Sequence, residues 1–310
     1  MSITPEQAWP CGPKTNIWPA GEMPHRQAHQ IAATTEEAAA PGFDADSSRE
    51  PHIQWYPAPD PAVATDSCAI VISGGGYEKC CDLEAYRPLV AELLGAGIHC
   101  VNFTYRTPRP HGMEIYRTAW DDGWRAVRLV RREAAKRGID PGKIGAMACS
   151  AGSHLALLLA LRSLGPAPYV PIDAMDREPA PLAWLLAMCP AYLLSDGLAG
   201  QNANRGEGAA LDPVFTPDAA ACPVCFFHGS ADPYSPLGST ALWRVLSQRG
   251  IKAELHLDAG RGHGPIGGEA FRRHALGFLM RIGALPGASL RAVEEWEQAR
   301  RRGAPHDLHL

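Results

Sequence analysis

The sequence predicts an α/β protein whose central sheet is mostly parallel and carries helices on both faces. From His52 onward, short apolar runs alternate with longer segments of helical periodicity. This alternation is typical of repeated β-α units, in which helices cover a parallel sheet. No internal repeat and no obvious linker interrupts the pattern, which favours one domain over two.

Seven strands and five helices account for this pattern. The strands are predicted at His52–Tyr56, Cys68–Ile72, Ile98–Phe103, Ile144–Ala148, Leu182–Met188, Val224–Phe227 and Lys252–Leu257. The helices are predicted at Leu83–Leu94, Thr118–Arg137, Ala151–Leu164, Ser239–Gln248 and Glu269–Ile282.

The longest of these helices, Thr118–Arg137, combines apolar residues at helical spacing with charges that suit its dipole. Asp121 and Asp122 lie in its first turn, and basic side chains lie towards its end. Gly138 and Pro141 end it. The apolar positions at helical spacing are Trp120, Trp124, Val127 and Val130.

The two ends of the chain differ from the part between them. Residues 1–50 are rich in Pro, Ala and polar residues, so we expect an irregular N-terminal arm, tied down by Trp9 and Trp18. Residues 51–285 are expected to form the α/β domain. Residues 286–310 are expected to form a C-terminal helix and tail.

The composition excludes several classes of protein. The chain has 310 residues, of which 46% are hydrophobic, enough for a sizeable core, and its formal charge of −4 is spread without a basic stripe. We therefore expect no nucleic-acid partner. The start lacks the features of a signal peptide, and the longest strongly apolar run, Leu155–Leu161, is too short to span a bilayer. We expect a cytoplasmic protein without a membrane partner, although a secreted protein trimmed of its signal would show the same pattern.

The nine cysteines indicate reduced thiols rather than a disulfide framework, since the number is odd and the spacing irregular. Cys222 and Cys225 form a C-x-x-C pair, but a strand through this segment would send the two side chains to opposite faces. We therefore do not expect a redox or metal role for them. Because the sequence has no H-E-x-x-H or comparable ligand cluster, no metal and no cofactor is expected.

The first chemical signal is Ser150, at the turn between a predicted apolar strand and the next helix. A nucleophile elbow needs small residues two positions before and after the serine, because the strand and helix approach closely there. Gly152 meets this need, and Ala148 replaces the usual glycine. The turn would project the hydroxyl of Ser150 and aim the amide of Ala151 at a developing oxyanion. A serine that merely caps the helix is the alternative.

The second signal is the glycine run of Val71–Tyr77, which comes straight after a buried strand. Backbone N–H groups without obstructing side chains can form an oxyanion hole. A phosphate-binding loop is the alternative, but neither G-K-[ST] nor G-x-G-x-x-G spacing is present.

The third and fourth signals are Asp232 and His263, each in a predicted loop after a strand. His263 would take the proton of Ser150, and Asp232 would hold the imidazole tautomer and stabilise its charged form. Ligands of open α/β sheets bind where such loops gather. Asp196 is the reserve acid.

Three other histidines are predicted to have structural roles. His154 follows Ser150 too closely along the chain to reach its hydroxyl. His228 is expected to anchor the loop of Asp232 by hydrogen bonds, and His256 to pack within its strand.

On these motifs the chain resembles α/β-hydrolases of the acetyl xylan esterase-like family, which includes short-chain carbohydrate esterases. The resemblance runs from about Ile53 to Ile282. It rests on Ser-Gly-Gly-Gly-Tyr (73–77), Asn-Phe-Thr-Tyr-Arg (102–106), Gly-Ile-Asp-Pro-Gly-Lys-Ile-Gly (138–145), Cys-Ser-Ala-Gly-Ser-His-Leu (149–155), His-Gly-Ser-Ala-Asp-Pro (228–233) and Gly-Arg-Gly-His-Gly (260–264). Family members usually have glycine where this chain has Ala148 and Ser153.

The resemblance implies an α/β-hydrolase fold and a serine carboxylesterase that hydrolyses short-chain, acetyl-type esters of carbohydrates. It also implies that Gly75, Gly76 and Ala151 supply the oxyanion amides. Tyr77 and Tyr234 lie beside site residues and would either stack on a sugar ring or pack as wall residues. The partners implied are a small-molecule or oligosaccharide ester and, as a further option, a second copy of the chain.

Two other functions remain open at the level of sequence. One is an amide hydrolase on the same fold, either an aryl formamidase or a peptidase, because fold analogy does not separate esters from amides. The other is a non-catalytic binding protein that keeps the scaffold as a receptor. Such proteins usually lose a member of the catalytic triad, whereas Ser150, Asp232 and His263 are all present here.

Overall fold

The computed structural model describes residues 11–26, 50–81, 83–110, 112–195, 210–219 and 221–286. Its main feature is a sheet of eight strands in the order β1-β2-β4-β3-β5-β6-β9-β10, and β7 and β8 form a separate pair. The strands are β1 (Thr15–Asn16), β2 (His52–Tyr56), β3 (Cys68–Ile72), β4 (His99–Thr104), β5 (Ile144–Cys149), β6 (Leu185–Met188), β7 (Leu194–Ser195), β8 (Ala210–Leu211), β9 (Val224–Gly229) and β10 (Ala253–Asp258).

The sheet is parallel from β4 to β10 and antiparallel only at the edge formed by β1 and β2. The central strands β3 and β5 are buried along their whole length. Such strands need cover on both faces, which explains why they read as continuous apolar runs rather than alternating ones. The predicted fold class is confirmed.

Helices pack on both faces of this sheet. They are α1 (Arg87–Gly95), α2 (Arg117–Ala134), α3 (Ala151–Leu161), α4 (Leu237–Gln248), α5 (Gly268–Phe271) and α6 (Gly277–Arg281). Buried residues of α2, α3 and α4 belong to one hydrophobic cluster, and those of α1, α5 and α6 belong to another. Cys222 lies in the first cluster and Cys225 in the second, so the two thiols face different sides as the strand period predicts.

Several helix ends differ from the prediction for local reasons. The first predicted helix begins as a 3-10 turn, Leu83–Tyr86, and α1 follows it with Pro88 near its start, where a missing N–H is tolerated. The last predicted helix is divided by a π turn, Arg272–Leu276, between α5 and α6. The helix after Ser150 ends at Leu161, three residues before the expected end.

The described part of the N-terminal arm is fixed to the domain. Trp18 donates from Nε1 to Asp122 Oδ1 at 2.7 Å, and Asp122 also forms a buried ion pair with Arg106. Of the two tryptophans expected to tie this arm down, Trp18 does so, and Trp9 lies outside the described residues. The predicted C-terminal helix and tail also lie outside them beyond residue 286.

The parallel strands bring their C-terminal ends to one edge of the sheet. The glycine run follows β3, Ser150 follows β5, Asp232 follows β9 and His263 follows β10. This is the edge at which open α/β sheets bind their ligands. The topology therefore gathers residues that lie far apart along the chain.

Candidate active site

Ser150 occupies a strained turn between β5 and α3. Its φ of 56° and ψ of −125° lie in a region that non-glycine residues rarely adopt. Its amide donates to the carbonyl of Met188 at 2.9 Å, which ties the turn to the neighbouring strand β6. Strain of this kind persists where the surrounding structure imposes it, and it is frequent at active sites.

The residues around the turn show why small side chains are required. A Cβ atom added at Gly152 would lie 2.3 Å from the carbonyl oxygen of Ile72 and 2.4 Å from that of Ser73. Ala148, at the other small position, is buried at 1% exposure. The single methyl group of Ala148 is therefore accommodated, whereas a side chain at position 152 would require the backbone to move.

Ser150, His263 and Asp232 form one continuous chain of hydrogen bonds. Ser150 Oγ lies 2.8 Å from His263 Nε2, and His263 Nδ1 lies 2.8 Å from Asp232 Oδ2. The serine hydroxyl can donate to a neutral imidazole whose other nitrogen donates to the carboxylate. This arrangement can activate a hydroxyl as a nucleophile and stabilise the imidazolium that forms.

The carboxylate of Asp232 is held by several donors. The amide of Tyr234 donates to Oδ1 at 2.7 Å, and His228 Nε2 lies 3.3 Å from Oδ2. Burial alone would raise the pKa of Asp232, but hydrogen bonds from His228, His263 and Tyr234 outweigh it and lower the pKa to about 2. Asp232 is therefore ionised at neutral pH.

His263 reaches the solvent, and its side chain is 27% exposed. Burial acts to lower its pKa, but the hydrogen bonds with Asp232 and with the thiol of Cys189 outweigh burial and raise the pKa above 6.5. His263 is therefore a stronger base than a free imidazole, and it must lose its own bound proton before it can accept one from Ser150.

The glycine run lies directly against the serine. A Cβ atom at Gly74 would lie 2.9 Å from the Cβ of Ser150, and one at Gly75 would lie 1.9 Å from the carbonyl oxygen of Lys79. Gly75 and Gly76 have φ values of +128° and +66°, which other residues rarely adopt. The run thus allows backbone to approach Ser150 where side chains would prevent it.

Neighbouring side chains fix the position of the glycine run. Tyr86 Oη accepts from the amide of Gly74 at 2.9 Å, and Tyr105 Oη donates to the carbonyl of Ser73 at 2.9 Å. Arg109 Nε donates to the carbonyl of Gly76 at 3.1 Å. The assignment of the Gly75, Gly76 and Ala151 amides to an oxyanion hole stays a prediction.

The other three histidines lie where structural roles were predicted. His154 is buried and shares a 2.8 Å hydrogen bond with the hydroxyl of Tyr77, and burial lowers its pKa to about 3. His228 binds the carbonyl of Tyr234 at 2.7 Å, which anchors the loop of Asp232. His256 stacks on Phe227. The reserve acid, Asp196, lies outside the described residues.

The two tyrosines predicted as sugar contacts differ. Tyr77 is 1% exposed, and its ring packs against Tyr105, His154 and Tyr192, so the prediction that it could stack on a sugar is wrong. Its φ of 65° turns the side chain into the core. The ring of Tyr234 is half-buried, with its centroid 4.8 Å from that of His263, where it borders the candidate site.

Sequence reasoning missed Cys189, which lies beside the imidazole. Donor atoms of Cys189, Asp232 and His263 all lie within 4.8 Å of one another, close enough to hold a metal ion. A second such group, Cys225, Glu254 and His256, lies on the strands β9 and β10. No local motif marks Cys189, since only the pairing of β5, β6 and β9 brings it to the site.

Comparisons with known proteins agree with this fold. The family model BD-FAE matches residues 58–166. The acetyl ester-xyloside bifunctional hydrolase of Caldicellulosiruptor lactoaceticus superposes with a TM-score of 0.61 at 22% identity, covering 93% of this chain and 96% of that one. Esterase 2 of Thermogutta terrifontis in its butyrate-bound form superposes with a TM-score of 0.62 at 24% identity, covering 77% and 91%. The chain is an α/β-hydrolase by fold.

Two relatives are similar over part of the sequence. Endo-1,4-beta-xylanase B of Butyrivibrio fibrisolvens is 35% identical over 94 residues, which is 30% of this chain and 15% of the xylanase. Carboxylesterase NlhH of Mycobacterium tuberculosis is 30% identical over 134 residues, which is 42% of this chain and 39% of the carboxylesterase. The chain therefore matches well under half the length of either relative.

Within the described residues, no helix combines the length and the apolar character needed to cross a bilayer.

Proposed function

We propose that this chain is a serine carboxylesterase with Ser150 as nucleophile, His263 as general base and acid, and Asp232 as the group that orients and stabilises His263. The observation that carries the proposal is the pair of 2.8 Å hydrogen bonds joining the three side chains at the C-terminal edge of the sheet. A strained serine, a histidine and a buried carboxylate joined in this order are typical of a catalytic triad. A purely structural role would not require them to meet at the ligand-binding edge of the sheet.

The first half of the reaction is acylation. His263 Nε2 takes the proton of Ser150 while Oγ attacks the acyl carbonyl of the ester. The negative charge moves to the carbonyl oxygen, where the amides of Gly75, Gly76 and Ala151 would donate to it. His263 then gives its proton to the departing alcohol, which leaves an acyl group on Ser150.

The second half is deacylation by water. His263, neutral again, takes a proton from a water molecule, whose oxygen attacks the acyl carbonyl. The same amides hold the second oxyanion. When it collapses, the bond between the acyl carbon and Oγ breaks, the carboxylic acid leaves, and the proton held by His263 regenerates the hydroxyl of Ser150. Asp232 remains ionised throughout, which its low pKa favours.

The proposed substrates are short-chain esters, acetyl esters of a carbohydrate first among them. Support comes from the proteins to which this chain is similar. They include an acetyl ester-xyloside hydrolase, a xylanase, and an esterase that has been described with butyrate and with propionate bound. We also propose that residues 51–285 form the catalytic domain, since the strands from β2 to β10 and the helices α1 to α6 all fall in that range.

A fluorophosphonate probe tests the mechanism, and a substrate panel tests the specificity. Esterase 2 of Thermogutta terrifontis has been described as phosphonylated by sarin, so similar labelling of Ser150 is expected here. The panel compares 4-nitrophenyl acetate, acetylated xylan oligomers and N-formylkynurenine. We expect the two esters to be turned over faster than the amide. A preference for the amide would favour an aryl formamidase, and absence of both labelling and turnover would favour a non-catalytic receptor.

A further inference from the structure

Two buried thiols touch each other immediately behind the candidate site. Cys149 is the last residue of β5 and precedes Ser150, and Cys189 follows the last residue of β6. Their Sγ atoms are 3.3 Å apart, and the residues are 2% and 0% exposed. The mechanism above uses neither thiol.

The backbone holds Cys189 in an unusual conformation. Its φ of 37° lies in the left-handed region, and its amide donates to the carbonyl of Phe227 at 2.6 Å. Consecutive strand residues point to opposite faces, yet Met188 and Cys189 both lie in the hydrophobic cluster that contains Cys149. The left-handed turn is what directs the second thiol towards Cys149.

Cys189 also contacts the catalytic imidazole. Its sulfur lies within 4.8 Å of donor atoms of His263 and Asp232. The hydrogen bond from Cys149 lowers the pKa of Cys189 most, and His263 and the amide of Gly264 add to this, so that the pKa falls to about 5 in spite of burial. The thiolate, not the neutral thiol, is the form that peroxides oxidise, and Cys189 lies beside His263, whose side chain is 27% exposed to solvent.

We propose that Cys149 and Cys189 are a modification site, which a hydroperoxide converts into a disulfide that reversibly stops turnover at Ser150. The loss of turnover rests on the proposed function. The disulfide itself does not, because it depends only on the two thiols and the groups around them.

The chemistry balances in two steps. The thiolate of Cys189 attacks one oxygen of the hydroperoxide, the O–O bond breaks, and a proton from water completes the departing alcohol or water. Cys189 is then a sulfenic acid. The sulfur of Cys149 attacks the sulfur of Cys189, the S–O bond breaks, and the thiol proton leaves with hydroxide as water. Two electrons pass from the thiol pair to the peroxide, and an added dithiol returns them.

The disulfide would disturb the site at both of its cysteines, because one is bonded to Ser150 and the other lies beside His263. The sulfurs must approach from 3.3 Å to about 2 Å, and Cys149 is bonded directly to Ser150. The disulfide also removes the ionisable thiol of Cys189 from beside His263. Because displacements near 1 Å in a catalytic arrangement can cost about 100-fold, a large loss of turnover is expected.

The primary test is peptide mapping without reduction after treatment with hydrogen peroxide. We expect a peptide pair joined through Cys149 and Cys189, an intact mass lower by two hydrogens, and ester hydrolysis reduced at least about tenfold and restored by dithiothreitol. Peroxide treatment of Ser150→Ala should give the same linked peptides, which tests the pair without any need for turnover.

Variants assign the effect to the pair. After peroxide treatment, Cys189→Ala and Cys149→Ala should contain no such link. Peroxide should cause no loss of their activity that dithiothreitol can reverse. Cys225→Ala is the matched control, because Cys225 is also buried but on another strand, and it should respond as the wild type does. Cys149→Ser and Cys189→Ser serve if an alanine variant does not fold.

The inference is overturned if peroxide forms no Cys149–Cys189 link in the wild type and none in Ser150→Ala. It is also overturned if the link forms and turnover is unchanged. If no ester turnover is found at all but the link forms, the proposed function has failed and the modification site stands.

Discussion

Asp232 and His263 face each other at 2.8 Å across two adjacent parallel strands, β9 and β10, whose C-terminal loops carry them. The amide of Tyr234 and the imidazole of His228 fix the carboxylate from its other sides. The carboxylate can therefore hold His263 in one tautomer, with Nδ1 protonated and Nε2 free to accept from Ser150.

The first prediction concerns this pair. Asp232→Asn should leave the protein folded and lower kcat by roughly 10⁴-fold, because the amide favours the wrong tautomer of His263. Steady-state hydrolysis of 4-nitrophenyl acetate measures the loss, and circular dichroism checks the fold. Asp196→Asn is the comparison and should be close to neutral. The reverse ranking would make Asp196 the acid.

The second prediction concerns pH. His263 must be neutral to accept a proton, so activity is lost as pH falls through its pKa, which Asp232 and Cys189 raise. The rate constant kcat/KM should rise with pH along a single limb. The midpoint of this limb should lie above the pKa of an ordinary imidazole, about 6.5. Cys189→Ala removes one of the raising groups and should move the midpoint down, whereas Cys225→Ala should leave it in place. A midpoint that is unchanged in Cys189→Ala would refute the influence of Cys189 on His263.

The third prediction concerns metals. The proposed steps use only side chains and backbone amides, so EDTA should leave turnover of 4-nitrophenyl acetate within about twofold of the untreated rate. Dialysis against EDTA followed by assay checks this. Activity that disappears on chelation and returns with zinc would replace the serine mechanism by a metal-assisted one.

The fourth prediction concerns stability. Asp122→Ala leaves the buried guanidinium of Arg106 without its carboxylate and removes the acceptor of Trp18, so unfolding should become easier by ~3–5 kcal/mol. Denaturant titration measures the change. Lys136→Ala breaks an exposed ion pair with Glu133 and should cost less than ~1 kcal/mol. Equal effects of the two variants would show that the buried ion pair contributes no more to the free energy of unfolding than the exposed one.

Much of the candidate site can be predicted from the sequence because each part follows from a local sequence pattern. Ser150 sits between an apolar strand and a helix with a small residue at Gly152, and the structure shows the close approach that excludes a side chain there. Asp232 and His263 each follow a strand, and parallel strands deliver such loops to one edge.

Other features depend on tertiary placement and are not readable locally. Tyr77 follows the glycine run, where the sequence leaves both stacking on a sugar and ordinary packing open, and the structure buries its ring in the core. Cys189 has no neighbouring motif, and its position near His263 arises only because β6, β9 and β10 are adjacent in the sheet. The π turn at Arg272–Leu276 likewise has no signal in the hydrophobic pattern.

The most direct test of the central claim is the rate of ester hydrolysis by Ser150→Ala, measured beside Ser153→Ala. Ser153 lies in the first turn of α3, three residues after Ser150. It is buried and donates to the carbonyl of Met188 at 2.8 Å, so its replacement controls for local disturbance. We expect Ser150→Ala to lose at least ~10⁴-fold in kcat while Ser153→Ala stays within about tenfold of the wild type. A purified, folded Ser150→Ala that keeps more than about a hundredth of the wild-type rate would contradict the assignment of Ser150 as the nucleophile.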